Sequence, residues 1–149
     1  HQCSGNPGVE VRAHPVQMDD TNAREILAGS NVVVDALDNV PDRFRIQAAA
    51  RSLKIPLVHG AVAGFEGQLM TIFPEDTGFS LLYGTGHAER HPEKSPEALL
   101  GVPAVTPSFV ATLQVMEVVK ILLNRGTPLR NLMVHVDLEA GEMNRFTFQ

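Results

Sequence analysis

The residue pattern predicts an α/β fold, a Rossmann-like mixed sheet in which a parallel β-α-β-α-β run is followed by antiparallel strands. Three observations carry this. Strand-like segments at 9–16, 31–35 and 55–59 alternate with helix-like segments that open on capping residues. Val32, Val33 and Val34 form the continuous β-branched run of a strand covered on both faces, as parallel strands are. From Gln68 the pattern changes to alternating polar and apolar residues, the mark of an antiparallel or edge strand.

Asn6-Pro7-Gly8 is a turn, after which Val9, Val11 and Ala13 alternate with Glu10, Arg12 and His14 as in a half-buried strand. Asp19-Asp20-Thr21 opens a short helix through Ala23, Ile26 and Leu27, closed by Gly29. Pro41 suits the first position of a second helix, with Ile46, Ala49, Ala50 and Leu53 on one face, and a third strand runs from Ile55 to His59. Residues 74–107 hold five of the ten prolines and predict a long irregular crossover. Thr106-Pro107 starts a helix that runs to about Asn124, with Gly126 beyond its end. Apolar residues nearly surround this helix, which predicts burial in the core or against another subunit. Leu132 to Val136 and Met143 to Phe148 form a hairpin around Glu139-Ala140-Gly141.

The 149 residues suit one domain, 1–149, and 44% apolar with 19% charged residues is a globular mixture. Twelve basic against seventeen acidic side chains leave a net charge of −5 with no basic run, which argues against a nucleic-acid partner. The longest apolar segment, Phe109 to Leu123, is interrupted by Gln114, Glu117 and Lys120, so no membrane span is expected. Cys3 is the single cysteine and can form no internal disulfide, which fits a reducing, cytoplasmic setting. His1 in place of Met, with no signal-peptide pattern after it, points to a cut inside a longer protein.

Ligands of open parallel sheets bind beyond the carboxyl ends of the strands, where Asp35 and Asp38 fall. Two carboxylates three apart can hold a divalent cation or face a ribose; the competing role is capping, by Asp38 or Asn39, of the helix near Pro41. No phosphate-cradling loop is present, and Gly84-Thr85-Gly86 lacks a third glycine and a preceding β-α context. His87 and His91 would share a helix face as metal ligands, but Pro92 favours a solvated loop. Gln114, Glu117 and Lys120 read as a solvated or intersubunit stripe.

Residues 32–73 resemble the HesA/MoeB/ThiF family, bacterial relatives of ubiquitin-activating enzymes. The resemblance lies in the D-x-x-D-N strand end at Asp35 to Asn39, Arg43 four residues on, the Pro56-Leu57-Val58 strand with Gly60, and Glu66-Gly67-Gln68. Gly101-Val102 and the L-Q-x-x-E-x-x-K helix from Leu113 to Lys120 extend it. The resemblance implies ATP and Mg²⁺ as cofactors of the complete protein, and adenylation of the C-terminal carboxylate of a ubiquitin-like, β-grasp sulfur-carrier protein. It implies that Asp38 positions the Mg²⁺ and that Asn39 and Arg43 lie behind it or on the nucleotide side; a homodimer is expected from the apolar helix, whose exposed face should be paired. The family's N-terminal half, with its glycine-rich ATP loop, is not represented, so this segment alone is not expected to turn over ATP. Many members carry two C-x-x-C pairs for zinc. The first falls near Ser80 and Tyr83 and the second has no counterpart, so no zinc is expected. The usual acceptor cysteine falls around Ser95 to Glu97, where none is present, so neither a thioester nor a persulfide is expected on this chain. The alternatives are a catalytically degenerate protein-binding scaffold and half of a nicotinamide-dependent oxidoreductase, which would need G-x-G-x-x-G upstream.

Overall fold

The computed structural model describes residues 8–84 and 103–148. Its sheet has five strands in chain order: β1 (Val33–Asp35), β2 (Leu57–Ala63), β3 (Glu66–Ile72), β4 (Leu132–Asp137) and β5 (Glu142–Thr147). β1 and β2 are parallel, with Asp35 beside His59, and the pairings of β2 with β3, β3 with β4 and β4 with β5 are antiparallel. The helices are α1 (Ala23–Leu27), α2 (Val40–Ser52), α3 (Ser80–Tyr83) and α4 (Val105–Leu122). One face of the sheet, with Val33, Leu57, Met70 and Ile72, packs with Ile46 and Ala50 of α2 and with Phe79. The other, with Val58, Leu69, Val134 and Val136, packs against Leu113, Val118 and Ile121 of α4. The mixed Rossmann-like sheet is therefore as expected.

α2 begins where the sequence places it. Asn39 is the cap: its Oδ1 accepts from the Asp42 amide at 2.9 Å, and its Nδ2 donates to Asp42 Oδ2 at 2.8 Å. This reciprocal pair satisfies a helix-end amide that would otherwise lack a partner. The competing role weighed for Asp38 thus belongs to Asn39.

Several expectations are corrected. Residues 9–16 form no strand, and Val9, Val11 and Val16 are exposed. No described strand pairs with them, and alternation alone cannot satisfy an extended backbone. Val34 is 47% exposed because α4 lies chiefly over β2 and β3, so the valine run is not covered on both faces. The strand expected from Ile55 to His59 starts at Leu57 and continues to Ala63, since β3 pairs with it throughout. Thr106 does not cap α4; its hydroxyl donates to the Gly64 carbonyl at 2.9 Å.

The largest correction concerns the faces of α4. Its buried residues are Thr106, Val110, Gln114 and Glu117, while Phe109, Val115, Met116, Val119 and Leu122 are exposed. The stripe read as solvated is the one that meets the sheet, because Gln114 and Glu117 find backbone and hydroxyl partners there. Length and composition alone would let α4 cross a membrane, contrary to the expectation, yet Thr106, Gln114 and Glu117 each tie it to the sheet region. In the expected crossover, residues 74–84 are anchored by Phe79, which is fully buried and whose amide donates to Gln47 Oε1 at 2.6 Å. Residues 85–102, which hold His87, His91, Ser95 to Glu97 and Gly101-Val102, lie outside the described residues, as does Cys3.

Candidate functional site

The turn between β1 and α2, residues 36–39, stands at the carboxyl end of the parallel pair and is held from several directions. Asp35 is fully buried; its Oδ1 accepts from the Leu37 amide at 2.8 Å and its Oδ2 from His59 Nδ1 at 2.7 Å. Arg43 Nη2 donates to the Leu37 carbonyl, Nη1 donates to the Tyr83 hydroxyl at 2.9 Å, and Nε faces Asp35 Oδ2 at 3.5 Å without a hydrogen bond. Below them, Gln114 Nε2 donates to the carbonyls of Asp35 at 2.8 Å and Val58 at 3.3 Å. This approach requires Gly60, because a Cβ there would come within 2.6 Å of Gln114 Cδ.

His59 is a neutral link in this network. Burial pushes its pKa below the ordinary 6.5, and the hydrogen bond and charge of Asp35 only partly oppose that. The neutral ring with its proton on Nδ1 donates to Asp35, leaving Nε2 to accept from Gln68 Nε2 at 3.3 Å. Between pH 6.5 and the lower folded value, the unfolded chain binds more protons than the folded one. The contribution of His59 is therefore complete above that window and is lost as pH falls through it. We expect the urea midpoint to drop as the pH is lowered from 7.5 through 6.5 to 5, and His59→Gln to flatten that drop. Asp42, whose pKa is lowered first by its bond from Asn39 and then by Arg45, contributes only below 3.8, outside the pH range measured. An unchanged slope in the variant would remove His59 from this role.

Asp38 differs from its neighbours. It is exposed, and the one hydrogen bond recorded for its carboxylate is from Asn39 Nδ2 at 3.2 Å. Asp35 and Asp38 are not a matched acidic pair, since Asp35 is committed to Leu37, His59 and Arg43 inside the protein. A carboxylate on a rigid turn suits Mg²⁺, which binds through one or two carboxylates and takes its other oxygens from water and phosphates. Among the described residues there is no cluster of three or more acidic, histidine or cysteine side chains, so an ion at Asp38 would draw most ligands from elsewhere. Asn39 faces the helix as its cap, and Arg43 braces the turn from behind.

Three residues of this corner, His59, Tyr83 and Gln114, were not expected there from the sequence. The available signal was a single ionisable residue, His59, ending the apolar Ile55–Val58 run, because a buried histidine needs partners.

The fold and its corner define a Rossmann-like α/β domain with an exposed acidic side chain at the carboxyl end of its parallel strands. The chain belongs to the ThiF family, whose model matches residues 2–149. It is 38% identical over 133 residues to the SAMP-activating enzyme E1 of Haloferax volcanii, covering 89% of this chain and 48% of that protein. It is 37% identical over 142 residues to a sulfur carrier protein adenylyltransferase of Thermus thermophilus, covering 91% and 52%. The chain thus spans about half the length of these two relatives. Among solved structures, E. coli MccB with MccA-N7isoASN superposes with a TM-score of 0.68 at 12% identity, covering 89% of this chain and 41% of that one. PaaA does so at 0.65 and 14%, covering 89% and 47%. At those identities the likeness is one of fold.

Proposed function

We propose that this chain is the carboxyl-terminal portion of an ATP-dependent adenylyltransferase that activates the C-terminal carboxylate of a ubiquitin-like, β-grasp sulfur-carrier protein. The observation that carries the reading is the exposed carboxylate of Asp38 on a turn braced by Asp35, Arg43 and Gln114. Similarity to two activating enzymes supports it. In the reaction, a carrier carboxylate oxygen attacks the α-phosphorus of ATP and pyrophosphate leaves. Asp38 would hold Mg²⁺, which neutralises phosphate charge as it develops. Asp35, Arg43 and Gln114 keep that carboxylate in place without reorganisation, the condition under which electrostatic stabilisation is most effective. This reading goes with a cytoplasmic location.

The test is exchange of labelled pyrophosphate into ATP by the whole protein, dependent on a β-grasp partner. Dependence on both carrier and Mg²⁺ supports the reading; no exchange under any condition favours the catalytically degenerate, protein-binding scaffold. We also propose a homodimer in which the second copy covers the exposed Phe109, Val115, Met116, Val119 and Leu122 of α4. Light scattering should give twice the monomer mass, and a monomer at high concentration would contradict the dimer.

A further inference from the structure

The Arg43 guanidinium serves two segments at once. Nη2 clamps the Leu37 carbonyl in the Asp38 turn, and Nη1 donates to Tyr83, the last residue of α3. Gln68 Nε2 donates to the same hydroxyl at 3.1 Å, so Tyr83 also reaches the His59 network through β3. The ring is fixed independently of that hydroxyl: its centroid lies 6.4 Å from Phe44, 6.5 Å from His59 and 6.0 Å from Phe79. The guanidinium is buried and its Nε already lacks a hydrogen-bond partner. Loss of the acceptor at Nη1 would leave more of a buried cation unsatisfied, a condition relieved by turning toward Asp35 and releasing the Leu37 carbonyl.

We propose that Tyr83 is a positioning residue for the Asp38 turn: its hydroxyl orients Arg43, and Arg43 holds the Leu37 carbonyl. The beginning of the crossover and the acidic corner then move as one unit. The link itself rests on geometry; its effect on Mg²⁺ use rests on the adenylyltransferase reading.

Tyr83→Phe removes the hydroxyl and keeps the ring. In the whole protein, hydrogen exchange followed by mass spectrometry should show the amides of 37–39 exchanging about tenfold faster, while those of β2 and β3 keep their protection. In pyrophosphate exchange, the Mg²⁺ concentration for half-maximal rate should rise about tenfold with the maximal rate retained, as when an outer partner of a metal ligand is lost. A residue that served only the fold would lower the maximal rate with the folded fraction and leave the Mg²⁺ requirement unchanged. Arg43→Lys, whose single nitrogen replaces the two that reach Tyr83 and Leu37 separately, should reproduce the faster amide exchange. Unchanged exchange at 37–39 in Tyr83→Phe would overturn the proposal, and so would faster exchange throughout the sheet. If wild-type protein shows no pyrophosphate exchange, the adenylyltransferase reading fails while the amide measurement still decides the link.

Discussion

Replacing Asp38 by alanine is expected to cut carrier-dependent pyrophosphate exchange at least about a hundredfold, the scale of losing one preorganised group opposite developing phosphate charge. The melting temperature should stay within about 2 °C of wild type, because exposed substitutions that break no buried contact cost roughly half a kcal/mol or less. Asp38 meets that condition: it is exposed, and its one recorded hydrogen bond comes from Asn39, which keeps its bonds to Asp42 without it. Position matters as much as charge. The Leu37 amide and carbonyl are both engaged, by Asp35 and Arg43, so the backbone that carries Asp38 has little freedom. Full activity in Asp38→Ala would remove it from the reaction. Unfolding would return it to a role in the fold.

Glu117→Ala is expected to have the largest effect on stability, a loss of about 3–5 kcal/mol read from urea unfolding, the cost of breaking a buried ionic group from one side. Glu117 is almost fully buried on α4. Its Oε2 accepts from the Thr71 hydroxyl and from the Leu129 amide, each at 2.7 Å, and its Oε1 pairs with Lys120. Alanine would leave the fully buried Thr71 hydroxyl and the Leu129 amide without that acceptor, and the Lys120 ammonium without its counter-charge. Since Leu129 also accepts from the Thr71 amide at 2.9 Å, the approach of the chain to β4 should loosen with it. A loss below about 1 kcal/mol would mean that water replaces these bonds, and that α4 is held by its apolar contacts alone.

How far the sequence was legible follows from the kind of signal each element carries. α2 and the β4–β5 hairpin were readable because caps, turns and alternation are local chemistry, satisfied by neighbours in the chain. The strand at 9–16 was misread because alternation reports a potential for pairing, and pairing needs a partner strand that local pattern cannot supply. α4 was misread in a different way. A polar stripe on an apolar helix normally faces water, but here the carbonyls of Asp35 and Val58 and the hydroxyl of Thr71 await it across 46 to 79 residues of chain. Such partners are visible only once the sheet is assembled. The D-x-x-D-N motif located the corner but not its division of labour. Asp35 is the buried brace, Asn39 the helix cap, and Asp38 the residue left facing outward.

The Asp38 role is tested most directly by locating a divalent ion in crystals of the whole protein grown with ATP and Mn²⁺, using the anomalous signal of manganese. The expected result is an anomalous peak beside the bound nucleotide and within direct coordination distance of an Asp38 carboxylate oxygen, about the 2.0–2.1 Å typical of Mg²⁺. A nucleotide-bound ion with Asp38 turned to solvent and no oxygen from the 36–39 turn near it would contradict it.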